Sequence, residues 1–432
     1  MEELTHYLTR VLNPHINRIL RFERPLATDW RQNPKIIPPR KLLTKVTTSP
    51  GTVDSAVLDS SKLVQKRTID LRRPYRILCL DGGGIRGILT MTILKRICAH
   101  NPKFLDNVDF ICGTSAGGLL ALLLASGYSP EECDEIYGFA APHIFGHNPS
   151  RAINPFRSKY SDKAKQEIMQ YYYGGRTMGD LQKTCAVIAF RLDGRKSHTH
   201  MMFNKEGWRP AVFSNMPQED SLILPDVDLP VWDAAMRTSA APTYFPVFRG
   251  YTDGGLVANN PTIVAVSKAM AHYPHVNPKN IAVLSLGAGN YPRHTHLLSH
   301  LDDAQKKENE KFVGYEAAAV NSPLWRADWG IKQWIPYLLD ILMEGDSVTT
   351  EMVVHSLLSG NGLYHRIDPR MMRMINLDDV SAMQELRDFG NSVDLTETFK
   401  FADEKFTYDD ADFDNDVHNS LDSATNYHDA WH

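Results

Sequence analysis

Val108-Asp109-Phe110-Ile111-Cys112-Gly113-Thr114-Ser115-Ala116-Gly117-Gly118-Leu119-Leu120-Ala121-Leu122-Leu123-Leu124-Ala125 is the stretch whose reading decides the fold. Its first five residues form a short apolar run suited to a buried strand, and its last eight suit a buried helix. Between them Gly113-Thr114-Ser115-Ala116-Gly117 sets a serine where a strand turns sharply into a helix. Gly113 and Gly117 have no Cβ to collide in so tight a turn, so the Ser115 hydroxyl is expected to project beyond the carboxyl end of a sheet. That is the geometry of a nucleophile elbow. A purely structural Gly-rich turn is the competing reading, and the five residues alone do not choose between them.

Upstream, Tyr75-Arg76-Ile77-Leu78-Cys79-Leu80 reads as a strand, Asp81-Gly82-Gly83-Gly84-Ile85-Arg86-Gly87 as a glycine loop, and Ile88 to about Ala99 as a helix. Successive glycines let several amides point the same way, and the helix N-terminus adds partial positive charge, so the loop suits an anion. Gly82-x-Gly84-x-x-Gly87 fits the dinucleotide fingerprint, but that reading needs an acidic residue ending the second strand, which here ends in Gly-Thr-Ser with Asp109 at its beginning. No Lys-Ser or Lys-Thr follows the glycines, which excludes a Walker loop. The alternative is that the Gly83 and Gly84 amides face Ser115 and hold an oxyanion during acyl transfer. Arg86 either braces this loop or meets a substrate phosphate.

Downstream, residues 128–180 read as irregular and aromatic, with Tyr137, Phe145, Tyr160, Tyr172 and Tyr173 among them. A lid or acyl-chain wall is one reading of the segment and plain core the simpler one. A strand is expected over Thr184–Phe190, then a loop with His198 and His200, then a small-residue helix over 232–242. In Tyr251-Thr252-Asp253-Gly254-Gly255 the carboxylate is expected at a strand edge, although Asp-Gly-Gly is also ordinary turn chemistry. Ile281–Leu286, left through Gly287-Ala288-Gly289, is a further buried strand. Repeated strand-then-helix order predicts an α/β fold, a mostly parallel sheet with helices on both faces. Beyond 297 a helical pattern carries an apolar stripe through Trp325, Trp329, Trp334, Leu338 and Leu342, read as a cap on the main domain rather than a membrane contact.

The 432 residues are ample for a large core, and the net charge of −4 gives no reason to expect nucleic acid. Five cysteines, at 79, 98, 112, 133 and 185, are odd in number and form no Cys-x-x-Cys pair, so neither a disulfide framework nor a zinc site is indicated. No apolar run approaches the roughly 20 residues of a membrane span, and no secretory leader pattern is seen, so the expectation is a soluble chain made in the cytosol. Residues 1–73 hold 14 Lys+Arg and 7 Asp+Glu, and Leu8 to Phe22 could form a basic amphipathic helix, either on an anionic membrane or packed on the main domain. Residues 46–62 look like a linker. The tail 402–432, with nine acidic residues against one lysine, reads as disordered, and Asp410-x-Asp412-x-Asp414 lacks the glycine and glutamate of a calcium loop.

Taken together and in order, the blocks Asp81-Gly82-Gly83-Gly84-Ile85-Arg86-Gly87, Gly113-Thr114-Ser115-Ala116-Gly117 and Asp253-Gly254-Gly255 resemble the patatin-like phospholipase family. The resemblance covers residues 75 to about 290 and extends to the Trp-rich segment through Asp368-Pro369. It implies a three-layer α/β/α domain and a Ser-Asp dyad with Ser115 as nucleophile, Asp253 as its partner and the Gly82, Gly83 and Gly84 loop as oxyanion hole. It further implies hydrolysis of fatty acyl esters in membrane or micellar lipid, through an acyl-enzyme and with no metal or cofactor. The expected layout is a basic extension (1–73), a catalytic domain (74–290), its helical C-terminal extension (291–400) and an acidic tail (401–432). Two readings stand beside it: a slow storage or regulatory protein on the same fold, and a dinucleotide-binding module.

Overall fold

The computed structural model describes residues 37–39, 73–146, 154, 156–193, 207–216, 226–273, 275–291 and 331–407. The expected N-terminal amphipathic helix, the 46–62 linker, His198, His200, Trp325, Trp329 and the Asp410 segment lie outside the described residues.

Seven strands form one sheet: β1 (Tyr75–Leu80), β2 (Phe110–Thr114), β3 (Thr184–Arg191), β4 (Arg209–Ser214), β5 (Tyr251–Asp253), β6 (Ile281–Leu286) and β7 (Tyr364–Ile367). The order is β4-β3-β2-β1-β6-β7. Pairings β3-β2, β2-β1, β1-β6 and β6-β7 are parallel, while β4 and β5 run antiparallel to β3. Among the described residues the α-helices of eight residues or more are α1 (Gly87–His100), α2 (Ser115–Ala125), α3 (Pro130–Ile144), α4 (Lys163–Tyr173), α5 (Val231–Thr238), α6 (Thr262–His272), α7 (Ile331–Leu358), α8 (Met383–Ser392) and α9 (Thr396–Phe406).

Period-two alternation along the strands divides the core in two. Leu78, Leu80, Ile111, Val187 and Leu284 face one apolar cluster, which α1 to α5 cover together with α8 and α9. Ile77, Cys79, Cys112, Ile188 and Val283 face the other, covered by α6 and the C-terminal end of α7. The sheet is therefore buried on both faces. This explains why its central strands are mostly apolar on both faces, as a mostly parallel sheet between helix layers requires.

Four local expectations are corrected. Residues 128–180 are not irregular: α3 starts in a capping box, with the Ser129 hydroxyl accepting from the Glu132 amide and the Glu132 carboxylate accepting from the Ser129 amide. The helix read over 232–242 ends at Thr238. The tail expected to be disordered from 402 is helical as far as Phe406, completing α9 with Ala402 and Phe406 buried, and within the helical C-terminal extension β7 continues the sheet in register with Val283–Leu286. That segment is tied down elsewhere too: the buried Arg76 of β1 donates to the carbonyls of Lys405 (2.7 Å) and Thr407 (3.0 Å). All five cysteines are unpaired thiols. No helix among the described residues is long and apolar enough to cross a membrane.

Candidate active site

The edge of β3 beside the centre of the sheet is shared end to end by two strands. The other edge carries β4 over residues 186–191, so β2 and β5 occupy this one in succession. Thr114 at the end of β2 lies opposite Ile188, and Asp253 at the end of β5 lies opposite Ala189. Residues 138 positions apart are thereby brought together, and the Ser115 hydroxyl donates to Asp253 Oδ2 at 2.6 Å.

Ser115 has φ +54°, the left-handed region that non-glycine residues rarely enter, as an elbow between strand and helix demands. The turn closes so tightly that a Cβ on Gly117 would strike the Leu80 carbonyl. Neighbours hold the strained residue: the Ser115 amide donates to Thr238 Oγ1 (3.0 Å), whose own hydroxyl donates to the Ile188 carbonyl, and Thr114 Oγ1 donates to the Ala258 carbonyl (2.6 Å).

Asp253 is 4% exposed, and its Oδ1 accepts from the Gly255 amide at 2.8 Å. Burial pushes its carboxyl up to about 6, against the opposing effects of the Ser115 and Gly255 hydrogen bonds and the charge of Lys165. Lys165, on α4, is also buried; its Nζ donates to the Ser239 carbonyl (2.7 Å) and stands 3.8 Å over the Phe245 ring. Burial brings its pKa down to about 7, opposed by Asp253 and Asp162.

The glycine loop separates into two parts. The Gly82 amide donates to the Asn259 carbonyl at 3.0 Å, so it is spent and does not serve as the donor expected from sequence. Gly83 and Gly84 line the same cavity as Ser115 and Asp253. The Gly83 carbonyl accepts from the Arg86 amide (3.1 Å) and from Arg86 Nε (3.4 Å), and the Gly84 carbonyl accepts from the Tyr137 hydroxyl (2.5 Å). In a trans peptide N–H and C=O point opposite ways, so fixing the Gly83 carbonyl also aims the Gly84 amide. Gly84 has φ +56°, and a Cβ there would strike Leu377, whose carbonyl accepts from the Ile85 amide (2.7 Å). Arg86 is buried and also donates to the Gly289 carbonyl (3.0 Å), so of its two expected roles the structure has it bracing the loop.

The cavity walls are chiefly apolar, with Leu119, Leu123, Ile136, Ile168, Met169 and Tyr172 among them. Four of these, Ile136, Ile168, Met169 and Tyr172, come from the two helices the sequence reading missed. Among the described residues no histidine lines the cavity, and no group of three or more His, Cys, Asp or Glu side chains is placed to hold a metal ion. Lys165 was not foreseen; in Lys163-Ala164-Lys165-Gln166 it resembles any solvent-facing lysine. Arg366, described below, likewise has no local motif.

Residues 78–266 match the family described as patatin-like phospholipase. The chain is 28% identical over 339 residues to protein teg of Priestia megaterium, covering 76% of this chain and 97% of that one. It is 34% identical over 236 residues to a cGAMP-activated phospholipase of Escherichia coli, covering 49% of this chain and 61% of that one. With the mouse 85/88 kDa calcium-independent phospholipase A2 it shares 26% identity over 333 residues, 76% of this chain and 38% of the mouse protein.

Proposed function

We propose that the chain, whose residues 78–266 match the patatin-like phospholipase family, is a lipid acyl hydrolase in which Ser115 attacks the ester carbonyl and Asp253 receives its proton. The observation that carries this reading is the 2.6 Å hydrogen bond from the Ser115 hydroxyl to a buried carboxylate, inside an apolar cavity. As the Oγ–acyl bond forms, the carbonyl oxygen becomes an oxyanion facing the Gly83 and Gly84 amides. One such donor is typically worth about 2.7–4 kcal/mol of transition-state stabilisation. Collapse expels the alcohol, which takes the proton back from Asp253. Water then attacks the acyl-enzyme as Asp253 again accepts a proton; collapse breaks the Oγ–acyl bond, Ser115 takes that proton back and the fatty acid leaves.

A carboxylate that titrates near its ordinary 3.9 is too weak a base for a serine hydroxyl. Burial answers part of that difficulty by raising Asp253 to about 6. The apolar walls suit an acyl chain, and the named relatives that are phospholipases favour a phospholipid or lysophospholipid ester. The names of calcium-independent relatives support a reaction that needs no calcium.

The test is fatty-acid release from phosphatidylcholine vesicles across a pH series, with chelator present. Release is expected to survive chelation. Asp253 must be ionised to act as base and its pKa is raised, so kcat/KM is expected to fall about tenfold per pH unit below about 6. An acid limb centred near 4, or activity abolished by chelator, would overturn the buried-carboxylate reading.

A further inference from the structure

Exposed apolar side chains are concentrated on one element. Of the twelve large hydrophobic residues that stand exposed among the described ones, eight lie on α7. Trp334, Leu338, Ile341, Val348 and Met352 recur at spacings of three, four and seven, which is one face of a helix. Met352 is 67% exposed. Between Trp334 and Met352 the stripe extends about 27 Å at 1.5 Å per residue. Gly345 and Thr349 fill its gaps, whereas Asp340, Glu344 and Glu351 fall along one flank.

The opposite face of the helix is apolar too, and it is covered. Met343, Val354 and Leu358 are buried, and Leu339 and Met343 line the cavity that holds Ser115 and Asp253. A helix apolar on both faces, where few other hydrophobics among the described residues stand exposed, is built to be covered on its second face. Whatever covers that face lies one helix thickness, about 10 Å, from the cavity. We infer that α7 is a lipid-docking element, its exposed stripe resting in the boundary between headgroups and acyl chains of a membrane while its other face walls the catalytic cavity.

The choice of a lipid surface as occupant rests on the hydrolase reading: an enzyme whose substrate is held in a bilayer needs its cavity at that surface. An exposed tryptophan at one end of the stripe also suits the interface, where an amphipathic ring finds both its environments. Carboxylates on the flank and a stripe without cations make the attraction apolar. Docking by α7 therefore persists in salt. That distinguishes it from any attraction of the basic residues 1–73 to anionic lipid.

The test is flotation of the full chain carrying Ser115→Ala, so that no turnover occurs, with phosphatidylcholine vesicles at about 0.15 M and about 1 M salt. Leu338→Asp/Met352→Asp, with Leu338→Ser/Met352→Ser as the milder pair, is placed in the same background. The bound fraction is expected to hold in high salt and to fall by about tenfold or more in the variants. With Ser115 restored, the same variants should cleave a water-soluble short-chain ester as the parent does and lose vesicle hydrolysis. Variants that bind as well as the parent, a parent that does not float, or a parent dimer that the variants convert to monomer would each overturn the proposal, the last by assigning the face to a second copy. Flotation that depends on the stripe in a chain inert toward every ester would sink the hydrolase reading and leave the docking surface standing.

Discussion

Ser115→Ala is expected to release fatty acid about 10³-fold more slowly than the wild type or worse, and Asp253→Asn to fall by a comparable factor. Both act on one proton transfer, so their effects are not additive and the double variant should be little slower than either single one. Asn at 253 preserves volume and leaves an oxygen for the Gly255 amide, but it offers Ser115 no basic group. Loss of activity must be separated from loss of fold, and the raised pKa of Asp253 supplies the means. A carboxyl whose folded pKa lies above its unfolded value favours folding when protonated, a contribution present in full below the unfolded pKa and lost as pH rises through about 6. At pH 8 the wild type therefore holds an ion its site disfavours, and Asp253→Asn should melt no lower than wild type. Activity that survives Asp253→Asn but not Ser115→Ala would assign the base to another residue; a variant that melts well below wild type at pH 8 would contradict the buried-ion account.

The parts of this arrangement visible in the sequence are those where local rules and tertiary demands coincide. Tyr75–Leu80 and Ile281–Leu286 are buried on both faces, so their apolar runs, interrupted at one position each by Arg76 and Ser285, identify them as strands. Ser115 is marked because an elbow needs small residues on both sides, and those residues are adjacent in sequence. Asp253 is different. Its Asp-Gly-Gly turn is commonplace, and its meeting with Ser115 depends on β2 and β5 sharing one edge of β3, a fact of pairing that local reading does not contain. The α3 start was in plain view as Ser129-Pro130-Glu131-Glu132, a capping box with proline in the first turn, but the surrounding aromatics obscured the helical period. α7 defeats periodicity in another way. With apolar residues on both faces, its composition matches that of a buried cap, and only the packing separates the covered face from the more exposed one.

β7 was missed because four residues of intermediate burial, Tyr364-His365-Arg366-Ile367, carry no strand pattern, yet they hold the residue whose loss should cost the fold most. The side chain of Arg366 is 4% exposed, and it donates to Asp81 Oδ2 (2.7 Å), Ser285 Oγ (2.8 Å) and Asp368 Oδ2 (3.1 Å). Asp81 opens the glycine loop, and its Oδ1 is buried with no hydrogen-bond partner. Burial drives the Asp81 carboxyl up to about 7, with Arg366 holding it back. Arg366→Met strands that carboxylate, and removing one member of a buried pair typically costs about 3–5 kcal/mol. Urea unfolding at pH 8 should show a deficit of that order, and Asp81→Asn placed in the same chain should recover much of it, because the double variant buries no unpaired charge. Without the guanidinium the folded pKa of Asp81 rises further above its unfolded value. The variant's penalty is then present at pH 8 and shrinks as acid protonates the carboxyl, so its deficit should be smaller at pH 5. A deficit that grows on acidification, or no deficit at pH 8, would show that the pair does not hold the loop. The expected outcome makes a C-terminal strand, whose Arg366 lies 285 residues beyond the Asp81 it holds at the head of the glycine loop, a structural part of the site rather than an appendage to it.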